Sequence, residues 1–508
     1  MILQKNIGVS KSRYTLFRQC PKALWLKTYK PELAIISDAL QQRFESGSVV
    51  GYLAKGLFGD YIDVTAEDAN RRLNLRKMIE DTRKCIENEV EVICEASFKF
   101  DGGYCAVDIL KKEGDGYAIY EVKSSTSSDK DVYTQDVAYQ KYILSGCGVN
   151  VTGTYLVCID SDYILDGELD IQRLFQIEDI SKAVAAEFPL VKDQVKAARK
   201  MLQDSKQGPN EDLDVHCHAP YDCAFWQYCS MHLPKQSVFD LYRMNFDKKI
   251  EHYQQGIITF DQLRHESLND KQRMQIECNL NDTIYINKVE IARFLDTLSY
   301  PLYFLDFETM QPVIPEFQGT HPYQQIPFQY SLHYIENESG DLKHTEFLGA
   351  SGEDPRRALA EQLCNDIPMN VCVTAYNKAF ECTRLRELAE SFPDLSEHLL
   401  NIRDNIIDLL VPFQSGWYYI PAMGGSFSIK SVLPALFPND PELDYHNLEG
   451  SVHNGGEAMN IFPKIKDMSP EEQQRARDSL LKYCELDTFA MVKVWQKLQE
   501  VSTRNEQM

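Results

Sequence analysis

Residues 90–123 read VEVICEASFKFDGGYCAVDILKKEGDGYAIYEVK, and this stretch decides the fold of the first half of the chain. Three strand-like runs, VEVICEASFKF, YCAVDILKK and YAIYEVKSS, are separated by Asp101-Gly102-Gly103 and by Glu113-Gly114-Asp115-Gly116. Glycine-rich breaks between β-branched and aromatic runs close hairpins, so the pattern predicts a β-meander. One acid, Asp108, sits inside the apolar run Ala106-Val107-Asp108-Ile109-Leu110 of the second strand, and the third strand ends in Glu121-Val122-Lys123. Residues two apart on a strand share a face, so Glu121 and Lys123 project together.

Asp108 and Glu121 on adjacent strands, with Glu95 on the first, are oxygen donors of the kind that Mg2+ or Mn2+ takes. Such an ion activates a water and steadies the charge on a scissile phosphate. Lys123 would orient that water or neutralise the developing charge. Charged residues at hairpin ends also describe an ordinary solvated sheet end; the apolar flanks of Asp108 separate the two readings.

Outward from this meander, residues 10–30 are expected to be one helix with Ser10 or Ser12 as N-cap. Helices are expected over 66–90, about 131–145 and 180–205, with a strand at VTGTYLVCI. Cysteines bracket the region. Cys20 lies early, and Cys217, Cys223 and Cys229 follow in the polar, turn-rich segment HCHAPYDCAFWQYCS with C-x5-C-x5-C spacing. Remote soft ligands of this kind suit an inorganic clasp. His216 and His218 flank Cys217, so a zinc site of mixed Cys/His ligands is the rival, although zinc knuckles usually draw on short paired motifs. Cys94, Cys105, Cys158 and Cys372 sit in apolar runs and read as small buried hydrophobes.

Residues 236–295 look mostly helical and carry no chemical motif, which makes them a connector. A new α/β pattern opens at Leu302. The apolar strand Leu302-Tyr303-Phe304-Leu305-Asp306-Phe307-Glu308-Thr309 ends in D-x-E, with both carboxylates on one face. The run Val371–Ala375 leads into Tyr376-Asn377-Lys378-Ala379-Phe380-Glu381, and Tyr483-Cys484-Glu485-Leu486-Asp487 places Tyr483 and Asp487 on one helix face. Asp306, Glu308, Glu381 and Asp487 can therefore converge from a strand, a helix start and a late helix. Four such acids hold two divalent ions around an in-line displacement at phosphorus, and Tyr483 would orient the attacking water. Asp408 and Asp404 are supporting acids.

At 508 residues the chain has room for two or three domains with ample core. No apolar run reaches the length of a membrane span, and MILQKNIGVSKSR has no signal-like apolar stretch. Fourteen cysteines at scattered spacing then point to a reducing cytoplasm. A formal net charge of −23 argues against nucleic acid until its distribution is considered. Residues 1–30 hold Lys5, Lys11, Arg13, Arg18, Lys22, Lys27 and Lys30 and no acid, interleaved with Tyr14, Phe17, Trp25 and Tyr29. That composition suits a groove that tracks a phosphate backbone and stacks bases. It equally suits a solvated helix with a buried aromatic stripe.

The first half resembles the RecB-type PD-(D/E)XK nucleases that carry an iron–sulfur cluster, among them AddB-type helicase–nucleases and CRISPR adaptation exonucleases. The resemblance rests on Ser12-x-x-x-Leu16 leading into Cys20-Pro21, on Asp108, on Glu121-x-Lys123 and on the cysteines at 217, 223 and 229. It implies that Cys20, Cys217, Cys223 and Cys229 hold a [4Fe–4S] cluster that clasps the ends of the domain. It also implies a Q-x-x-x-Y helix motif, which Gln135-x-x-x-Tyr139 fits, with Gln140 as a rival. The helicase–nucleases space the late cysteines C-x2-C-x5-C, and the early metal-binding His of many members has no counterpart around 47–54 here.

The last third resembles the DEDD exonucleases of the ribonuclease H-like, DnaQ-type fold, in the tyrosine subclass. Asp306/Glu308, Asn377/Phe380/Glu381 and Tyr483/Asp487 match its three motifs, with Glu381 where Asp is usual. Gly425-Ser426-Phe427-Ser428-Ile429-Lys430 resembles the S-L-K element of that superfamily. Nearly all of the chain resembles an uncharacterised bacterial family that fuses the two domains, on Gly425–Pro434 and Leu480–Thr488.

The expectation is therefore an α/β chain. A PD-(D/E)XK restriction-endonuclease-like domain would span residues 1–235, a helical connector 236–297 and a ribonuclease H-like domain 298–508. The expected activity is metal-dependent hydrolysis of phosphodiesters, as a DNA exonuclease with two active sites in DNA repair or phage defence. DNA ranks ahead of RNA as partner, and no membrane is expected. The alternative is a nucleic-acid-binding or assembly protein in which one or both sites have lost their chemistry.

Overall fold

The computed structural model describes residues 8–36, 47–126, 130–204 and 206–503; Lys5 of the basic segment lies outside them. The class is mixed α/β. The chain divides into two compact units, residues 1–232 with 312–324, and residues 233–311 with 325–508. The helical stretch read as a connector thus belongs to the second unit.

In the first unit, β1 (Val9–Ser10), β2 (Ile62–Asp63), β3 (Val92–Phe100), β4 (Gly103–Glu113), β5 (Gly116–Lys123), β6 (Val151–Ile159) and β7 (Phe175–Asp179) form one mixed sheet. The order is β2-β3-β4-β5-β6-β7, with β1 added alongside β4. The meander expected over 90–123 is β3-β4-β5, antiparallel throughout. β6 then pairs parallel to β5, and the helix Lys130–Gly146 makes the crossover such a pair requires. That helix and Ser181–Met201 cover one face with Val137, Ile143, Val184 and Val191.

This sheet forks where the acids lie. The β4–β5 ladder ends at Ile109 opposite Tyr120. The N-terminal end of β4 pairs instead with β1, Val9 opposite Gly103. Inside–outside alternation slips at the same level. Val107 and Leu110 share one core, as do Ile93 and Ala96, while Ile109 and Cys94 belong to the core on the other face. Glu95, at the slip, has a positive φ of 58°. Irregularities of this kind re-aim side chains. Here the register brings Glu95, Asp108 and Glu121 to one level across three strands.

Residues 10–30 form two helices rather than one, Lys11–Gln19 and Pro21–Tyr29. Proline disfavours helical backbone in the residue before it, and Cys20 is extended, φ −155° and ψ 114°. Ser10 is the N-cap position but makes no side-chain cap bond. Of the two readings of this segment, the contacts of Tyr14 and Trp25 fit the buried aromatic stripe. The Tyr14 ring stacks on Tyr139 at 4.9 Å, Trp25 is buried, and Trp25 Nε1–H donates to the Asp204 carbonyl at 2.7 Å. These rings are core and have no open face for a base.

In the second unit, β8 (Tyr285–Ile286) pairs with β14 (Tyr418–Tyr419). The main sheet holds β9 (Leu302–Met310), β10 (Ile326–Ile335), β11 (Lys343–Leu348), β12 (Cys372–Ala375) and β13 (Ile406–Asp408), in the order β11-β10-β9-β12-β13. β11-β10-β9 are antiparallel, and β9-β12-β13 are parallel. Alternation along β9 divides its residues cleanly. Tyr303, Leu305 and Phe307 join the core with Leu359, Leu363, Leu385 and Ile402. The opposite face packs on the long helix Pro470–Thr503, where the Phe304 ring meets Trp495 at 5.7 Å. Asp306 and Glu308 lie on that second face.

Candidate active sites and a cysteine pocket

The fork in the first sheet holds a compact charged cluster. Glu121 Oε1 accepts from Lys123 Nζ at 2.6 Å and from Lys11 Nζ at 2.8 Å, while Glu121 Oε2 accepts from Gln140 Nε2 at 2.6 Å. Lys123 Nζ also donates to Asp136 Oδ2 at 2.7 Å and lies 5.1 Å over the Tyr133 ring. Asp108 Oδ2 accepts from the Val122 N–H at 2.8 Å, a bond that stands in for the missing ladder contact between β4 and β5.

The two central carboxyls diverge. Burial pushes Asp108 up to about 7, and the neighbouring Glu121 charge adds to the shift against Lys11 and Lys123. Burial also pushes Glu121 up, but the ammoniums of Lys11 and Lys123 outweigh it and hold the group well below the usual carboxylate range. Glu121 is thus the permanent anion and Asp108 the group that gains a proton. Glu95 turns elsewhere, with Oε1 3.6 Å from Lys55 Nζ; Lys55 also bonds Asp63 at 2.8 Å. Burial raises Glu95, with Lys55 opposing.

Of the two glutamines read for the Q-x-x-x-Y helix, Gln140 is the one bonded to this cluster. Tyr133, Asp136 and Gln140 stand three and four apart and form one helix stripe, and 135 and 139 fall off it. Tyr139 instead accepts from the Tyr104 N–H at 3.1 Å and donates to the Val9 carbonyl, which ties β1 to β4. Lys11, Lys55 and Asp136 were missed by motif reading. The i, i+4 spacing of Asp136 and Gln140 was the available signal for one of them.

In the second unit Asp487 and Glu381 lie near enough for their charges to act on Asp306 and Glu308, and of the four only Asp306 and Glu308 fall in a ligand group within 4.8 Å among the described residues. Asp306 is pushed well above its usual range by burial, then by Asp487, Glu308 and Glu381. Glu308 rises through burial and Asp487, with Lys430 opposing. Asp487 is raised by burial, opposed by the hydrogen bond from Tyr445 and by Lys430. Burial raises Glu381 to about 8, and its Oε2 is buried with no hydrogen-bond partner. The Cys484 thiol lies 3.9 Å from Asp306 Oδ2. One ligand atom from each of Asp306, Glu308 and Cys484 falls within 4.8 Å of the other two.

Tyrosines and one lysine frame these acids. Tyr445 donates its hydroxyl to Asp487 Oδ1 at 2.6 Å. Tyr483 is driven far up by burial and by Asp487, Glu308 and Asp306, and so remains a hydroxyl donor. Lys430 Nζ sits 5.3 Å over both rings. A Cβ on Gly455 would stand 3.6 Å from Glu308 Oε2 and 4.0 Å from Tyr483 Oη, so a larger residue there would enter the site. Asp408 Oδ1 accepts from the N–H groups of Asn377 at 2.8 Å and Leu410 at 2.9 Å. It thereby holds Asn377 at a positive φ of 69°, just before the helix that carries Glu381. Asp408 is a positioning group rather than a ligand. Asp404 pairs outward with Arg403 at 2.7 Å. Tyr445 carried no motif signal, and Cys484 only as part of the Leu480–Thr488 pattern.

Cys20, Cys217, Cys223 and Cys229 line one pocket together with His216, Phe225 and Trp226. Burial raises all four thiols, and each of Cys20, Cys217 and Cys223 feels others of the set. Gln19 Nε2 fastens the first helix to this loop through the carbonyls of His216 at 2.9 Å and Tyr221 at 2.7 Å. His218 turns to Asp222, 2.5 Å away. Among the described residues, the groups of three potential ligand atoms that lie within 4.8 Å of one another include none of these cysteines. Sulfurs on one tetrahedral zinc would stand only about 3.8 Å apart.

Compared with known proteins, residues 303–428 match a domain of unknown function, DUF2779. That span contains Asp306, Glu308, Glu381 and Asp408 and stops short of Tyr483 and Asp487. The uncharacterized protein UU173 of Ureaplasma parvum is 29% identical over 238 residues, 42% of this chain and 33% of that protein. The uncharacterized protein MG366 of Mycoplasma genitalium is 25% identical over 221 residues, 40% of this chain and 32% of that protein. The chain thus spans about a third of the length of these curated relatives. No solved structure matches. Among the described residues, no helix is long and apolar enough to cross a membrane.

Proposed function

We propose that this protein is a metal-dependent nuclease with two phosphodiesterase sites. The first unit would be of the PD-(D/E)XK restriction-endonuclease-like kind, and the second a ribonuclease H-like 3′→5′ exonuclease. One observation carries the reading: Asp306 and Glu308 are buried and pushed up by the charges of Asp487 and Glu381, and Glu381 Oε2 is buried without a partner. Uncompensated buried carboxylates are costly unless a cation joins them. The four carboxylates are hard oxygen donors of the kind Mg2+ or Mn2+ takes, with the Cys484 thiol beside them.

Bound there, the ions would polarise the phosphate and make water a competent nucleophile. The chain's own groups do the rest. Tyr483 keeps its proton and can orient a water through its hydroxyl. Lys430 offsets charge beside the rings of Tyr445 and Tyr483. Asp408 fixes the turn that presents Glu381. In the first unit, Asp108 and Glu121 are the ligands and Lys123 the neutralising group. The four cysteines around one pocket would hold a [4Fe–4S] cluster that clasps Cys20 to the late loop.

The test is decay of end-labelled single-stranded DNA, and of RNA, with Mg2+ or Mn2+. Wild type, Asp108→Ala, Asp306→Ala and the double variant are compared. Each single variant should lose one activity and the double variant both; equal rates for wild type and the double variant sink the proposal. Anaerobic purification should give a brown protein with a broad visible band that Cys223→Ser lacks.

A second reading has its own support in the first unit. Lys11 already neutralises Glu121 at 2.8 Å, which favours a site that binds nucleic acid without cutting it. Unchanged cleavage in Asp108→Ala, with activity confined to the second unit, would select it.

A further inference from the structure

The helix Pro470–Thr503 carries two polar stripes. Cys484 and Asp487 serve the carboxylates described above. Glu485 and Thr488, likewise three apart, face β10 and β11. On those strands His333 lies directly opposite His344, and Ser331 opposite Glu346; residues two apart share a face. The imidazole centroids are 4.5 Å apart.

Each ring is oriented through one nitrogen. His333 Nδ1 lies 2.8 Å from Thr488 Oγ1, His344 Nε2 lies 2.9 Å from Ser331 Oγ, and the two hydroxyls are 2.7 Å apart. Metal-binding histidines are commonly set in this way, one nitrogen on a polar partner and the other on the ion. One ligand atom each from His333, His344 and Glu485 lies within 4.8 Å of the others. His344 Nδ1 and Glu485 Oε1 are 4.0 Å apart, beyond hydrogen-bond length. Ligands on one tetrahedral ion stand about 3.4 Å apart, a closure within the reach of a long carboxylate that is half exposed. On the same face, Glu346 Oε2 is buried without a hydrogen-bond partner.

We propose that His333, His344 and Glu485, with Glu346 beside them, bind one divalent transition-metal ion of the zinc class. Imidazole donors favour such ions over Mg2+, so this site and the hydrolytic carboxylates take different metals. The ion would pin the long helix to the β10–β11 edge, one stripe away from Asp487. The inference rests on this geometry alone and stands whether or not the chain cuts nucleic acid.

The test is zinc binding to the full-length, chelator-stripped chain in excess Mg2+, by equilibrium dialysis, for wild type, His344→Ala and Glu485→Ala. Both substitutions are at partly exposed side chains. Wild type should bind one equivalent more than His344→Ala, and Glu485→Ala should bind that equivalent roughly tenfold more weakly. X-ray absorption of that equivalent should show imidazole scattering. Equal stoichiometry and affinity in wild type and His344→Ala would overturn the site and leave a purely hydrogen-bonded polar cluster.

Discussion

The two carboxylate centres solve the same electrostatic problem in opposite ways. In the first unit, the buried Glu121 meets two ammoniums and an amide, and its negative charge is fully answered by the chain. In the second, Lys430 opposes the charge of Glu308 and Asp487 from over aromatic rings rather than on a carboxylate oxygen, and Arg384 opposes that of Glu381. The first centre is charge-balanced at Glu121 as folded protein, and a metal ion bound there would have to displace Lys11. The second is held together against its own charge and gains most from a cation.

The largest expected effect is on turnover. Asp487→Asn should lower 3′-end trimming by roughly 10^3-fold, since an ion in such a site supplies several kcal/mol of charge stabilisation. Asp108→Asn should leave that trimming unchanged. If both variants reduce the same activity equally, the centres are not independent and the contrast fails.

Next comes stability, where the same conservative change should have opposite signs. Glu121→Gln leaves Lys11 and Lys123 without their shared anion, and breaking a buried pair of this kind costs about 3 kcal/mol. Asp306→Asn in metal-free protein removes a repelling charge and should be neutral or stabilising. Hydrogen exchange of residues 130–146 and of residues 470–503 reads the two units separately. A loss of protection of similar size in both variants would refute the idea that the second centre is charge-strained.

The strain also has a pH signature. Asp306, Glu308, Asp487 and Glu381 all have folded pKa values above their ordinary ones, Glu381 at about 8. The folded state therefore holds protons that the unfolded chain releases, and the stability they confer is greatest below about pH 4 and lost as pH rises toward 8. Metal-free protein should lose protection over residues 470–503 across that window, and saturating Mn2+ should abolish the trend. A flat profile in the metal-free protein would mean that the acids are not strained.

The contrast between the centres also explains what the sequence made legible. The D-x-E of β9, the Y-x-x-x-D of the last helix and the lysine after Ser428-Ile429 are local patterns. Strand and helix periodicity turn them directly into shared faces, and all three meet in the second unit. The first centre depends on Lys11, brought to Glu121 from 110 residues away, and on a fork that opens only because β1 takes part of the edge of β4. Neither leaves a local pattern. The aromatic N-terminal segment stays open in the sequence for the same reason, because a buried stripe and a stacking groove have the same composition. Gln140 shows the intermediate case: spacing alone allowed Gln135, and only the helix stripe through Tyr133 and Asp136 selects between them.

The smallest expected effect separates the two tyrosines of the second centre. Tyr445→Phe keeps the ring beneath Lys430 and removes one hydroxyl, the donor to Asp487 Oδ1 at 2.6 Å. If the site works as proposed, that hydroxyl orients a ligand rather than the reacting water, so its loss should weaken Mn2+ affinity about tenfold and leave turnover at saturating Mn2+ intact. Tyr483→Phe should do the reverse, lowering turnover at any Mn2+ concentration with little change in affinity. Metal titrations of the two variants decide between them. If Tyr445→Phe carries the turnover defect, the water-orienting role moves to the residue that no motif announced, and Tyr483 becomes packing beside it.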